Sequence, residues 1–193
     1  MARPHRFLWL LRHAKTVTDP PEGGSDFDRV LAPRGRRDAE ALGHLLGLDP
    51  PGSALGLGKV PLPDLALVSP AARTVATADL VLGDLVLGDL DRPPTRRLVD
   101  ALYGAEPDDV LDQLRGVPDE VAAVMVVGHN PTAHALAQGL IARADKKGRD
   151  LVNSRGFPTC SLGIYRFSAD HWAEVSGQSA RLVSLLTPPF AKN

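Results

Sequence analysis

Short apolar runs alternate along the chain with longer segments in which apolar and charged positions recur at helical spacing. The runs at residues 7–11, 65–68 and 121–127 are apolar almost throughout, which is typical of parallel strands that are covered on both faces. Each run is followed by a segment of helical periodicity, at residues 33–46, 71–82 and 132–144. This alternation predicts an α/β fold with a mostly parallel sheet.

Shorter segments extend this pattern. Residues 96–99 form a possible strand, and residues 108–115 predict a short helix. Residues 161–167 and 182–186 have the composition of two further strands around Trp172, and they predict an antiparallel edge of the sheet. Together with the longer elements they predict a three-layer α/β/α sandwich with a mostly parallel central sheet.

Two stretches have the character of insertions into this pattern. Residues 49–63 hold much of the glycine and proline of the chain and predict a long loop. Residues 80–89 carry a tandem duplication, Leu-Val-Leu-Gly-Asp repeated once, which is too short to indicate a solenoid. No stretch has the composition of a linker between domains, so residues 1–193 predict a single domain.

The composition of the 193 residues is that of an ordinary globular protein, with 44% hydrophobic and 23% charged residues. The formal net charge of −1 at pH 7 argues against a protein that binds nucleic acid or anionic membranes through a basic excess. A single cysteine, Cys160, excludes an internal disulfide and a cysteine-rich zinc site. No apolar run has the length of a signal segment or a membrane span, so we expect a cytoplasmic protein.

Basic side chains follow three of the predicted strands at the point where each strand ends. Arg12 and His13 end the first strand, Arg73 lies in the first turn of the helix after the second, and His129 follows the strand at 121–127. Each of these residues alone is typical of a loop arginine or a structural histidine. Because the carboxyl ends of parallel strands meet at one edge, however, their joint placement predicts a pocket for a phosphoryl group that needs no metal.

The motifs around these residues resemble a known family. The sequence is similar to the histidine phosphatase superfamily, which has a phosphoglycerate mutase-like fold, in the segments LLRHA (10–14), LAPRGRRDA (31–39), SPAARTVATA (69–78) and VVGHNP (126–131). The Arg-His-Ala variant, the small size and Phe-Pro-Thr at 157–159 resemble the SixA-like phosphohistidine phosphatase branch. The mutase branch has Arg-His-Gly, so Ala14 departs from that pattern.

The resemblance implies roles for four residues of this chain. His13 is expected to be the nucleophile, which becomes transiently phosphorylated before water releases phosphate. Its attacking ring nitrogen must be unprotonated, so we expect the other nitrogen to donate to a backbone carbonyl or a similar acceptor. Arg12 and Arg73 are expected to bind the phosphoryl oxygens, and a cationic His129 is expected to stabilise the charge that develops in the transition state. No metal and no cofactor are implied.

The proton donor is the residue for which the resemblance gives no clear position. Mutase-type relatives carry a glutamate, and no glutamate of this chain stands at a matching place. Asp100, which follows the possible strand at 96–99, is the candidate general acid, and a solvated loop aspartate is the alternative reading. A phosphohistidine substrate needs less acid assistance, because its imidazole leaving group can be protonated beforehand.

Three functions stay open at this point. The resemblance implies a metal-independent hydrolase of phosphorylated substrates that acts through a phosphohistidine intermediate on His13, most closely a SixA-like protein phosphohistidine phosphatase. The alternatives are a phosphatase of a small phosphorylated metabolite and a catalytically weak regulatory protein that recognises phosphate. The expected partner is the phosphorylated substrate, with neither nucleic acid nor membrane involved.

Overall fold

A computed structural model of the chain describes residues 5–48, 60–87 and 94–190. Within these residues a single six-stranded sheet has the strand order β3-β2-β4-β1-β5-β6. The first four strands of that order run parallel, and β5 and β6 continue the sheet antiparallel. The strands are β1 (Arg6–Arg12), β2 (Leu65–Val68), β3 (Thr95–Leu98), β4 (Ala123–Gly128), β5 (Leu162–Phe167) and β6 (Ala180–Leu186).

Helices cover both faces of this sheet. The α-helices in the described residues are α1 (Pro33–Leu48), α2 (Ala72–Leu87), α3 (Pro107–Arg115), α4 (Thr132–Gly139) and α5 (Lys146–Arg155). Three short 3₁₀ helices lie at Asp26–Asp28, Asp100–Leu102 and Trp172–Glu174. The predicted mostly parallel sheet and its antiparallel edge are therefore confirmed.

The apolar strands supply a core on each side of the sheet. Along β1, Leu8 and Leu10 pack with buried residues of α3, α4 and α5. Trp9 and Leu11 point to the opposite side and pack with buried residues of α1 and α2. Burial of each such side chain contributes about 1.5–3 kcal/mol. This division confirms the predicted three-layer α/β/α arrangement.

One predicted insertion belongs to a helix. Residues 80–87 continue α2, and Val81 and Leu82 are buried in the core that this helix shares with α1. Val81 and Leu82 therefore belong to the buried face of a helix that extends beyond its predicted end at residue 82. Residues 88–89, at the end of this stretch, lie outside the described residues. So do residues 49–59 of the loop predicted at 49–63. Beyond them, residues 60–63 are irregular, and Val60 is buried.

The helix predicted at 132–144 ends earlier, at Gly139. The carbonyl groups of Gly139 and Leu140 accept hydrogen bonds from the backbone of Gln178 and Ala180, at 2.7 and 3.0 Å. Because these carbonyls are already paired with the segment that leads into β6, the helix does not continue. The following helix α5 was not predicted, since it is polar and buries only Gly148 and Val152 among its ten residues.

Among the described residues, no helix combines the length and the apolar character that crossing a membrane requires.

Candidate active site

Three neighbouring strands end side by side at the carboxyl edge of the parallel sheet. Arg12 at the end of β1 pairs with Gly128 of β4, and Val68 at the end of β2 pairs with Val127. The residues that follow these strands, His13, Ser69 and His129, therefore emerge at one place. The structure brings His13, Arg73 and His129 into one cluster, with 5.3 Å between the centroids of the two imidazole rings.

His13 is buried and neutral. The residue is only 8% exposed, and its Nδ1 lies 2.8 Å from the backbone oxygen of Ala14. A carbonyl oxygen can only accept, so Nδ1 carries the proton and Nε2 keeps its lone pair. Burial, together with the charges of Arg73 and Arg12, lowers the pKa of His13 to about 4. The expected hydrogen bond from the second ring nitrogen to a backbone carbonyl is confirmed.

The backbone around His13 is fixed from both neighbouring strands. The His13 amide donates to the oxygen of Gly128, and its carbonyl accepts from the amide of Cys160, both at 3.0 Å. Thr77 of α2 accepts from the Ala14 amide at 3.0 Å and donates to the oxygen of Arg73 at 2.6 Å. The Thr77 hydroxyl thus joins the segment after β1 to the first turns of α2.

His129 interacts with a serine and an arginine. The Nε of Arg73 donates to its Nδ1 at 3.3 Å, and its Nε2 lies 2.8 Å from the hydroxyl of Ser69. Since Arg73 can only donate, Nδ1 is the acceptor and Nε2 carries the proton. Burial and the charge of Arg73 lower the pKa of His129 to about 3. His129 is therefore neutral in this arrangement, because its neighbours disfavour a second positive charge. The cationic form expected in the transition state stays a prediction.

Arg73 is the most heavily engaged residue of the cluster. It is the second residue of α2, as predicted, and its side chain is 6% exposed. Besides its contact with His129, it donates from Nη1 to the backbone oxygen of Asp26 at 2.6 Å and from Nη2 to Asp26 Oδ2 at 2.9 Å. A guanidinium fixed at three nitrogens is a rigid donor of hydrogen bonds.

Asp26 was not singled out by sequence reasoning. It lies in the loop between β1 and α1, where Arg29 donates to its Oδ1 at 2.8 Å and the Tyr103 hydroxyl lies 3.3 Å from its Oδ2. Although partial desolvation acts in the opposite direction, the hydrogen bond from Arg29 and the charge of Arg73 lower the pKa of Asp26. The signal in the sequence was a pair of opposite charges three residues apart, shortly after the predicted nucleophile.

Arg12 lies at the other side of the cluster. Its Nη1 donates to the oxygen of Phe157 at 2.9 Å, and the same oxygen accepts from the side-chain amide of Asn130 at 3.1 Å. The Nε of Arg12 is buried and has no hydrogen-bond partner among the described residues. Burial lowers the pKa of Arg12. The side chain is thus anchored at one nitrogen and keeps a buried donor.

The candidate general acid Asp100 and the single cysteine lie in different surroundings. Asp100 is exposed at the start of the 3₁₀ helix after β3, and none of the contacts among the described residues joins its carboxylate to His13, Arg73 or His129. The same segment instead brings Tyr103 to the cluster, with its ring centroid 5.6 Å from that of His129. Cys160 is buried beside β5, and burial raises the pKa of its thiol to about 12.

The chemistry of the cluster suits an oxyanion. Two guanidinium groups supply hydrogen-bond donors and positive charge at the end of a sheet and the first turn of a helix, beside two neutral imidazoles. Among the described residues, no group of three His, Cys, Asp or Glu side chains is placed to hold a metal ion.

Comparison with known proteins agrees with this geometry. No family model matches the chain. An uncharacterized protein of Mycobacterium tuberculosis (strain H37Rv), Rv1276c, is 36% identical over 182 residues, which cover 92% of this chain and 99% of that protein.

Two solved structures are similar over nearly the whole chain. A candidate phosphohistidine phosphatase SixA from Nakamurella multipartitia is 28% identical, with a TM-score of 0.73, and the match covers 98% of this chain and 100% of that one. A second candidate SixA, from Agrobacterium tumefaciens, is 29% identical, with a TM-score of 0.69 and coverage of 96% and 99%. The chain is a hydrolase of the histidine phosphatase superfamily and is similar to SixA-like members of that superfamily.

Proposed function

We propose that this protein is a metal-independent phosphatase of phosphohistidine in proteins and that it acts through a phosphohistidine intermediate on His13. The observation that carries the proposal is the hydrogen bond between His13 Nδ1 and the oxygen of Ala14. It leaves Nε2 of a neutral, buried ring as a nucleophile next to two arginines.

In the first step, Nε2 of His13 attacks phosphorus. A new P–N bond forms, and the bond between phosphorus and the substrate nitrogen breaks. The electron pair of the broken bond stays on the substrate imidazole, which is neutral when it leaves if its other nitrogen was protonated beforehand. Arg12 and Arg73 bind the phosphoryl oxygens and compensate the charge on them.

In the second step, water attacks the phosphorus atom bound to His13. The P–N bond breaks, its electron pair returns to Nε2, and phosphate leaves, while one proton of the attacking water passes to the solvent. A phosphoryl dianion between the two histidines raises the pKa of His129, because a nearby negative charge favours the protonated ring. His129 then supplies a donor or a proton at the phosphoryl group, which restores in the complex the role predicted for it.

The leaving group is the reason to prefer phosphohistidine. Imidazole leaves with little acid assistance, whereas an alkoxide needs a well-placed proton donor. Asp100 stays the candidate general acid, and its exposed position favours a substrate whose leaving group needs little proton donation. The two solved relatives described above are themselves named as candidate phosphohistidine phosphatases.

The surroundings of the site favour a protein as substrate. Among the described residues, the exposed large hydrophobic side chains are Val30, Leu98 and Tyr103. Val30 pairs with the segment directly after His13, Leu98 ends β3 at the carboxyl edge of the sheet, and Tyr103 contacts His129. Exposed apolar side chains on the segments near the site are suited to contact with a protein surface and give little to a small charged metabolite.

The first prediction tests this function directly. We expect the wild-type protein to release phosphate from a phosphohistidine peptide faster than from sugar and glycerate phosphates. We expect His13→Ala to abolish turnover of the peptide and of a generic aryl phosphate, because Nε2 of His13 forms the proposed intermediate. Phosphate release by colorimetric assay and acid-labile labelling of the protein measure the two effects.

His44→Ala is the matched control, since His44 is exposed on α1. His13→Asn, which keeps a polar side chain of similar size, guards against a loss of activity through misfolding. Undiminished turnover in His13→Ala would contradict the mechanism. Turnover of metabolites at a higher kcat/KM than the peptide would instead favour the metabolite phosphatase.

A further inference from the structure

Asp26 contacts the phosphate-binding arginine on the side away from the imidazoles. Its backbone oxygen and its carboxylate each accept one N–H from a terminal nitrogen of Arg73, at 2.6 and 2.9 Å. Two atoms of one residue therefore hold the Nη1–Nη2 end of the guanidinium. Such paired hydrogen bonds fix the orientation of the planar group as well as its position.

The remaining edge of Arg73 is directed at the cluster. A guanidinium has five N–H groups, and the contacts with Asp26 use two of them. The Nε–H points to His129 Nδ1 at 3.3 Å, a long and readily replaced hydrogen bond. The edge formed by Nε and Nη2 is thus the one presented to an anion between His129 and His13, and an oxyanion can bind it through two hydrogen bonds.

Asp26 is itself held in place, so it can serve as a fixed support. Arg29 donates to the second carboxylate oxygen, and the Tyr103 hydroxyl approaches the first. Within the same turn, Asp28 accepts from both the amide and the hydroxyl of Ser25, each at 2.9 Å, and this closes the loop. The carboxylate therefore has three basic or hydroxyl partners from three parts of the chain.

We propose that Asp26 is a positioning residue of the phosphatase site: it orients Arg73 so that the Nε–Nη2 edge faces the phosphoryl group. The proposal rests on the proposed function in one respect, the assignment of Arg73 to phosphate binding. The proposal predicts an effect on anion affinity that is opposite to the effect expected from charge alone. Removal of a negative charge near the pocket strengthens anion binding by itself, whereas loss of the orientation weakens it.

The second prediction tests this role with inorganic phosphate, so that the result does not depend on the identity of the substrate. We expect Asp26→Ala to weaken phosphate binding about tenfold, the effect of losing a charge-assisted hydrogen bond. Asp26→Asn keeps an acceptor for Nη2, and we expect a smaller loss. Isothermal titration calorimetry measures the dissociation constants, and kcat/KM for an aryl phosphate is expected to fall in the same order.

Glu22→Gln is the matched control, because it removes one negative charge from an exposed position of the same loop. We expect its phosphate binding to equal or exceed that of the wild type. A second readout is the Nε–H resonance of Arg73 in NMR spectra, assigned with Arg73→Lys. Rotation about its Nε–Cζ bond is expected to be slow in the wild type and faster in Asp26→Ala, with Asp26→Asn in between.

The outcomes separate the two proposals. Equal or tighter phosphate binding in both Asp26 variants, with weakened binding in Arg73→Ala, would overturn the role of Asp26 and leave the proposed function standing. Binding that Arg73→Ala does not change would overturn the assignment of Arg73, and with it the proposed function. Thermal denaturation of each variant identifies any that fail to fold, and Asp26→Asn then carries the test.

Discussion

At the scale of single residues, the site depends on histidines that stay neutral. Burial acts on both His13 and His129, and the charge of Arg73 acts in the same direction, which brings their pKa values to about 4 and about 3. A neutral His13 is ready to attack phosphorus without first losing a proton. The same neutrality keeps a third and fourth positive charge out of a pocket that already holds two arginines.

The third prediction follows from these pKa values. In an NMR titration of histidine-labelled protein, we expect the ring signals of His13 and His129 to stay those of neutral imidazole from pH 8 to pH 5.5. His171 is the internal control, because its hydrogen bond to the exposed carboxylate of Asp119 raises its pKa above the usual 6.5. Titration of His13 near pH 6.5 would contradict the neutral nucleophile.

The same pKa shifts determine how the stability of the fold depends on pH. The pKa of each pocket histidine is lower in the folded chain than the usual 6.5, so unfolding takes up protons when the pH falls below about 6.5. These two residues therefore reduce the free energy of unfolding as the pH drops from about 6.5 towards 4. His171 acts in the opposite sense, since the stability that its raised pKa contributes is present at low pH and is lost as the pH rises.

Sequence reasoning predicted which residues form this cluster, but it did not predict the protonation state of His129. His13, Arg73 and His129 were predictable because each follows the end of an apolar strand. The neutral charge of His129 was not predictable, because it depends on burial and on the Nε of Arg73, 56 residues earlier in the chain. Asp26 was missed for a similar reason: its partners Arg73 and Tyr103 meet it only in the folded loop.

At the scale of elements, the edge of the sheet opposite the site is tied together by one buried arginine. Arg6 begins β1, and its Nη1 donates to the backbone oxygen of Asp119 at 2.6 Å, while Nη2 donates to that of Asp170 at 2.6 Å. The indole of Trp172 donates to the oxygen of Val121 in the same region, at 2.7 Å. These contacts join the segment before β4 and the segment after β5 to the start of β1.

The fourth prediction concerns this arginine. We expect Arg6→Met to lower the free energy of unfolding by about 2 kcal/mol, because it removes the hydrogen bonds from a buried guanidinium to the carbonyl groups of Asp119 and Asp170. Activity is expected to be unchanged, since β1 separates Arg6 from His13. Urea denaturation and the aryl phosphate assay measure the two quantities. Arg181→Met on β6 is the control, because Arg181 is exposed; equal losses in both variants would contradict the role of Arg6.

Elements were predictable where burial dominates and less so where it does not. The strand at 65–68 was predicted at its observed bounds, since all four side chains are buried on a covered strand. Helix α5 was missed, because it is polar and is begun by a cap, in which Asp145 accepts from the Gly148 amide at 3.0 Å. The end of α4 was placed wrongly, because its last carbonyl groups pair with the segment that leads into β6.

At the scale of the whole molecule, the proposed phosphate site joins three parallel strands. Its ligands come from the ends of β1 and β4 and from the helix after β2, so an anion bound there contacts three distant segments of the chain. Binding of phosphate to the folded form alone therefore stabilises the whole fold by mass action. The three-layer architecture itself was predictable, because alternating apolar runs and helical segments leave few other arrangements.

The fifth prediction measures that coupling. At a phosphate concentration of about 100 times the dissociation constant, we expect the free energy of unfolding to rise by about 2.7 kcal/mol. Arg73→Ala is expected to reduce this gain strongly, and sodium chloride at equal ionic strength serves as the control for general salt effects. Chemical denaturation with and without phosphate gives the difference. An equal gain in the variant would contradict a ligand role for Arg73.

The only cysteine of the chain bears on how the enzyme responds to oxidants. Cys160 is buried behind His13, and a thiol whose pKa is about 12 is almost entirely protonated at neutral pH. Peroxides and alkylating agents react with exposed thiolates, whereas the Cys160 thiol is buried and protonated. Since its proposed nucleophile is a histidine, we expect the phosphatase to keep its activity under oxidative conditions that inactivate phosphatases dependent on a reactive cysteine.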